Sequence, residues 1–326
     1  MYCYAAGNVS AAGQGTCFRL DRGVIMAGSV TLASRSDLFC LLSFLDSRLP
    51  AHCEVQMVVK AALLAANTSY QVFFLHESPS NDTYSAIVAI KKENVISQTQ
   101  QNQKIWNLAE WSIDENALLR VYEAIDIDWK RDLVFAFNKH HNPHEKILKF
   151  LKDRDRLAEH RIYSAGRYVL DIPEALKLQT TSLPDEVYVK SLERHHAPLI
   201  YEHWTAFKHT TTVDDIADEI DLLPSAGLFL KDNDELVSWI MGHAPMGMSR
   251  LFTMDGHRRK GYATLVTLYM SKRMAQSGFL PFVNIVVGNT ASTKFFEGLG
   301  FRFVRPLNAI LTKPPSTDQT ATSATN

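Results

Sequence analysis

Three cations closed by a glycine, in Asp255-Gly256-His257-Arg258-Arg259-Lys260-Gly261-Tyr262-Ala263, restrict the fold of this chain more than any other feature. The segment lies between an apolar run at Met248–Met254, read as a strand, and a helical pattern at Tyr262–Ser277. Gly278 closes that helix and Pro281 follows it. Cations, then glycine, then a helix N-terminus make an anion-binding device. Gly261 lets backbone approach a ligand closely, and the first helical N–H groups point outward with the positive end of the dipole. A solvated basic loop ahead of a helix is the plainer alternative. Either way, strand, loop and helix in that order indicate an α/β chain.

The surrounding elements extend this order. A strand at Glu186–Leu192 precedes a helix with Pro198 in its first turn. Thr212 caps the next helix, with Asp214 and Asp215 in its first turn. Leu228–Leu230 and Leu236–Met241 read as strands, as do Phe282–Val287, Phe301–Val304 and Ala309–Leu311, with a helix at Thr290–Glu297. Ahead of them, a helix beginning near Asp37 carries Leu38, Leu41, Leu42 and Leu45 on one face. Two strands at residues 70–75 and 84–90 follow it, and helical patterns run from Asp114 to Leu157. This order divides the chain into a flexible extension (1–36), an N-terminal α+β domain (37–170) and a linker (171–184). A C-terminal domain (185–312) and a disordered tail (313–326) complete it.

Composition excludes several classes. Lys+Arg is 34 against Asp+Glu 35, which argues against a protein built to neutralise nucleic-acid phosphate, and no apolar run is long enough for a spanning helix. Four sparse cysteines, Cys3, Cys17, Cys40 and Cys53, read as free thiols in a reducing compartment. An intracellular location is expected, cytoplasmic or mitochondrial; residues 1–36, with Arg19, Arg22 and Arg35, make at best a poor transit peptide. The near-zero total conceals polarity. Asp185–Glu235 holds 12 acidic and 4 basic residues, whereas Met248–Arg305 holds 9 basic and 2 acidic.

At the basic loop the sequence resembles the GNAT superfamily of acyl-CoA-dependent N-acyltransferases, whose pyrophosphate loop follows an Arg/Gln-x-x-Gly-x-Gly/Ala pattern between a strand and a helix. A second landmark agrees: Asn289-Thr290-Ala291-Ser292 follows a strand, and the helix runs into Gly298-Leu299-Gly300-Phe301. Leu236-Val237-Ser238-Trp239, His257–Tyr262 and Gly278-Phe279 are similar, more narrowly, to the glycine N-acyltransferase family. The resemblance implies a mixed-sheet α+β chain, with a GNAT fold in the C-terminal half and a smaller or degenerate GNAT-like domain in front.

It also implies acyl-CoA as co-substrate, held between Met248–Met254 and Phe282–Val287, and an acyl group passing to glycine or another small amine. Backbone of Leu251, Phe252 and Thr253 would bond the pantetheine amides. N–H groups from Arg259 to Ala263, with the Arg258, Arg259 and Lys260 side chains and Gly261 and Tyr262 in the loop, would hold the pyrophosphate. Asn289 would flank the thiol end. A protein or polyamine N-acetyltransferase and a non-catalytic acyl-CoA-binding protein are the alternatives. No metal, nucleic-acid or membrane partner is expected.

Two positions depart from the pattern. The carboxylate proposed as general base in glycine N-acyltransferase falls at Gly247, and the tyrosine that protonates the thiolate in many GNAT enzymes falls at Phe296. His243 and His257 are the substitute bases, since histidine titrates in the useful range. The cluster His140, His141 and His144 reads as a polar loop. Asp214, Asp215, Asp218, Glu219 and Asp221 read as a solvated helix face that could attract an amine, and Trp204 and Trp239 as core residues.

Overall fold

Capping chemistry sets several of the helix starts. In the computed structural model, which describes residues 29–66, 69–76, 84–94, 104–129, 132–138, 145–155, 162–179, 183–205 and 211–312, Ser34 caps helix α1 (Arg35–Asp46) in a reciprocal box with Asp37. Asp114 caps α3 (Glu115–Ala124), and Thr212 caps α7 (Val213–Leu222) in a second box with Asp215. The first element therefore begins earlier than its pattern suggests. Strand β1 (Val30–Leu32) already pairs with β2 (Tyr70–His76), inside the segment expected to be an extension.

The N-terminal half continues through α2 (Cys53–Leu64), β3 (Tyr84–Asn94), β4 (Lys104–Ser112), β5 (Leu133–Asn138), α4 (Glu145–Lys152) and β6 (Ile162–Val169). The helical reading of 114–157 misses β5, and β4 and β6 were not anticipated. The 171–184 linker contains a short helix, α5 (Ile172–Lys177), which packs on the later helix α8 (Tyr262–Gln276). Next come β7 (Val187–Lys190), α6 (Ala197–His203), β8 (Ser225–Leu230), β9 (Leu236–His243), β10 (Gly247–Thr253), β11 (Phe282–Val286), α9 (Thr290–Gly298) and β12 (Arg302–Leu311). The two short strands expected at the end are one strand with a register shift between Phe303 and Arg305.

The strands form two sheets, ordered β1-β2-β3-β4-β5-β12-β6-β11 and β10-β9-β8-β7. Strand β6 lies between β11 and β12 and pairs antiparallel with both, while β12 also pairs with β5. The two halves thus share the larger sheet, while the smaller one is wholly C-terminal. A shared core follows, in which Leu41, Val58 and Val72 belong with Val237, Ile240 and Val266.

A buried charge cluster fastens this exchange. Glu54 on α2 accepts from Arg167 on β6, and from Arg305 Nη2 on β12 at 2.8 Å. Burial alone would raise the Glu54 carboxyl, but the two guanidiniums hold it below its ordinary range. A lone member of such a cluster is costly, so removing either arginine is expected to destabilise both halves together. Next to it, Cys53 is a buried free thiol, pushed up to about 12 by burial. Cys40 is disulfide-bonded, which corrects the all-thiol expectation: a low cysteine count does not prevent a single bridge.

A buried carboxyl offers a pH test of the N-terminal half. Glu110 on β4 accepts from the Tyr122 hydroxyl, and burial pushes its carboxyl up to about 8 from an ordinary 4.5. Between those values the folded chain binds a proton that the unfolded chain has lost. This group's contribution therefore falls as pH rises, by about 1.4 kcal/mol per unit. Glu110→Gln should remove that slope, raising the denaturant midpoint at pH 8 relative to wild type more than at pH 5.

Candidate functional site

The two sheets meet edge to edge where β10 and β11 begin. Gly247, with φ +85°, lies so close to Phe282 that a Cβ there would come within 2.3 Å of its carbonyl oxygen. Asn284 Nδ2 lies 3.5 Å from the Met246 carbonyl oxygen at the same junction. Beyond this contact the strands are not paired, and each ends its own sheet. A bulge interrupts the β10–β9 ladder between Ser249 and Phe252, with Arg250 at φ +55°. Bulges of this kind redirect side chains, and Arg250 turns into the interior.

A cleft of about 630 Å³ opens past the junction, lined by Leu251, Phe252 and Thr253 of β10, the loop before α8, and Phe295 of α9. It brings together His257, Arg258, Arg259, Gly261, Tyr262 and Ala263, and adds Thr264. Gly261 is the N-cap of α8 at φ +80°, with no side chain bonded to the first turn. A fifteen-residue helix thus presents its N-terminal donors to this cleft, a ready seat for an anion. Arg259, at φ +65°, bends the preceding backbone. Arg258 is half committed, pairing with Asp255 at 2.6 Å and donating from Nε to the Thr253 carbonyl at 3.2 Å. The Phe252 carbonyl accepts from the Ser238 hydroxyl of the paired strand β9 at 3.0 Å.

Two other expected site residues, and the position of the absent tyrosine, lie elsewhere. Lys260 is exposed but does not line the cleft. The Asn289 side chain is occupied as the N-cap of α9, accepting from the Ser292 N–H at 3.1 Å. Phe296 is buried against Phe295 and Phe301, with ring centroids 5.1 and 5.2 Å away. The histidines separate too. His257 stacks on Tyr262 beside the cleft, whereas His243 enters a buried cavity between the two halves. His140, His141 and His144 lie outside the described residues.

That cavity, about 20 Å³, is lined by Glu93, Asn107 and Phe135 from the N-terminal half and by Trp204, Thr211, His243, Met246 and Arg250. Trp204 is therefore a cavity wall with the Arg250 guanidinium 5.6 Å from its ring, not a core residue; Trp239 is core. Glu219 is likewise not on a solvated face. It is 1% exposed, and its Oε1 meets His243 Nδ1 at 2.5 Å and Lys91 Nζ at 2.6 Å. Its Oε2 accepts from Arg250 at 2.7 Å. Nitrogen and carboxylate at 2.5 Å require a shared proton, so Nδ1 donates to Glu219 and Nε2 keeps its lone pair. Burial is the largest influence on His243 and lowers it; Arg250 and Lys91 add to this, and only Glu219 opposes. The imidazole is neutral near pH 7, ready to accept a proton. Thr211 Oγ1 and Arg250 Nε, both buried, have no hydrogen-bond partner among the described residues.

On the other side of Lys91 and Glu219, a cleft of about 220 Å³ is lined by Tyr70, Lys92, Asp215, Asp218 and Asp221. Burial pushes Asp215 up to about 6 despite its bonds to Thr212.

This architecture is the GNAT fold. A tandem GNAT protein from the clavulanic acid biosynthesis pathway superposes with a TM-score of 0.52 at 10% identity, covering 89% of this chain and 100% of its own. A Drosophila structural-genomics protein gives 0.67 at 16%, covering 89% and 100%. Residues 225–307, from β8 into β12, match the FR47-like protein family. No curated protein sequence matches the chain. Among the described residues, no helix is long and apolar enough to cross a membrane.

Proposed function

We propose that the chain transfers an acyl group from acyl-CoA to a small amine, with glycine or another amino acid as the leading acceptor. The observation that carries this reading is the α8 N-terminus, whose N-cap is a glycine, facing the large cleft with Arg258 and Arg259. CoA brings a pyrophosphate, and helix N-terminal donors flanked by arginines suit it. The landmarks shared with glycine N-acyltransferases favour an amino-acid acceptor. The acidic groups around the cleft beside Glu219 favour the approach of a cationic amine. The amine must lose a proton before attack, and His243 Nε2, in the separate cavity across Glu219, is the basic group offered to take it. The amine nitrogen then bonds to the thioester carbon, the C–S bond breaks, CoA leaves as thiolate, and the nitrogen sheds its second proton to solvent. No tyrosine is needed at Phe296, because a thiol of pKa about 8.5 is a tolerable leaving group.

Thiol release from acetyl-, butanoyl- and benzoyl-CoA against glycine, other amino acids and polyamines tests the reading. Turnover with a small amine is expected; CoA binding without turnover would favour a binding protein. The Arg258→Gln/Arg259→Gln double variant should weaken CoA by about tenfold or more in calorimetry. Its affinity should also depend less on salt than that of the wild type.

A further inference from the structure

We propose that Lys91, on β3 of the N-terminal half, is a positioning residue of the acid–base centre in the C-terminal half. Its ammonium shares Glu219 Oε1 with His243 Nδ1 and so fixes the carboxylate that orients the imidazole. This deepens the reading of His243 as base and rests on it.

The geometry leaves Lys91 little other role. It is 4% exposed and 128 residues from Glu219 in sequence, and it also donates to Glu93. Glu93 in turn accepts from Asn107 Nδ2 at 3.0 Å. Ligand atoms of Glu93, Glu219 and His243 lie within 4.8 Å of one another, a spacing open to a cation. The Lys91 ammonium supplies that charge from within the chain. The charged groups around the imidazole are Glu219 from α7, Arg250 from β10, and Lys91 and Glu93 from β3. With the imidazole neutral they balance, two positive against two negative.

Without Lys91, Glu219 would keep only Arg250 as a cationic partner, and its Oε1 could rotate away from Nδ1. The N-terminal half is thus part of the site. It supplies the charge that holds the Glu219–His243 pair, and Glu93 and Asn107 wall the cavity into which His243 points. Strand exchange through β6 and β12 provides the rigid junction that such placement requires.

Lys91→Met is the direct test, with Lys91→Arg to keep the charge and Lys91→Met/Glu93→Gln to keep the balance should the single variant unfold. Two readouts apply: the acid limb of kcat/KM against pH, for the fastest pair in the substrate panel, and the NMR titration of His243, assigned by its loss in His243→Gln. Removing the ammonium takes away a repulsion from the imidazolium. Both midpoints should therefore move up by about one pH unit in Lys91→Met, by less in the double variant, which also loses the attraction of Glu93, and return towards wild type in Lys91→Arg. A folded Lys91→Met or double variant with unshifted midpoints would overturn the proposal, since a merely structural lysine lowers activity without moving them. If the acid limb survives His243→Gln, the base assignment itself fails, whereas the NMR titration still reports the Lys91 coupling.

Discussion

A His243→Gln enzyme is expected to lose about a hundredfold to a thousandfold in kcat/KM, with CoA affinity within twofold of wild type. The split follows from placement. His243 lies in the cavity between the halves, whereas the residues facing the proposed pyrophosphate seat line a different cleft. Glutamine can still meet Glu219 through its amide, so folding is preserved better than with alanine, but it offers no group basic enough to take a proton near neutrality. The wild-type profile should fall on the acid side with a midpoint below 6.5, because burial, Arg250 and Lys91 disfavour the imidazolium. That limb should vanish in the variant. A loss confined to KM would instead make His243 a binding group. An unchanged kcat/KM would leave approximation of the two substrates as the source of rate.

The C-terminal half was the more legible because its elements announce their ends. Thr212, Gly278 and Asn289 mark boundaries with side chains or backbone geometry that act within one turn, and such signals survive in a linear reading. Strand pairing has no local signal of this kind: nothing in Ile162–Val169 tells that it will lie between β11 and β12. Strand β4 is hidden for a related reason. It is buried on both faces yet carries Asn107 and Glu110, polar residues that disguise a central strand until their partners Glu93 and Tyr122 are in place.

The site divides along the same line. The cleft proposed for CoA is built mainly from one contiguous stretch, so its residues can be named together. The proposed base centre is assembled from β3, β4, α7, β9 and β10, so in a linear reading Glu219 passes for a surface acid and Arg250 for one of nine basic residues. Arg250, Arg302 and Arg305 in fact pair with Glu219, Asp171 and Glu54, which leaves the other six of the nine in the loop before α8, on α8 and on α9.

Gly247→Ala is expected to cost about 3 kcal/mol or more of stability, and Gly247→Glu more still. The missing carboxylate at this position therefore cannot be restored by substitution. Two penalties coincide. A φ of +85° strains any side-chain-bearing residue, and the added Cβ would lie 2.3 Å from the Phe282 carbonyl oxygen and 2.6 Å from its ring. Backbone cannot yield as a flexible side chain does, so β10 and β11 must part at the point where the sheets meet. Other glycines separate the two penalties. Gly261 shares the positive φ but has open space around it, so Gly261→Ala should cost about 1 kcal/mol, by strain alone. Gly256 has neither constraint, and its alanine variant should stay within about 0.5 kcal/mol of wild type. Denaturant midpoints of the three alanine variants in the order 247, 261, 256 would support this account, and an undisturbed Gly247→Ala would refute it. Because Gly247 lies directly across the ladder from His243, parting the sheets there should also disturb the base. The close approach that forbids a carboxylate at 247 thus agrees with the proposal of His243, on the neighbouring strand, as the base.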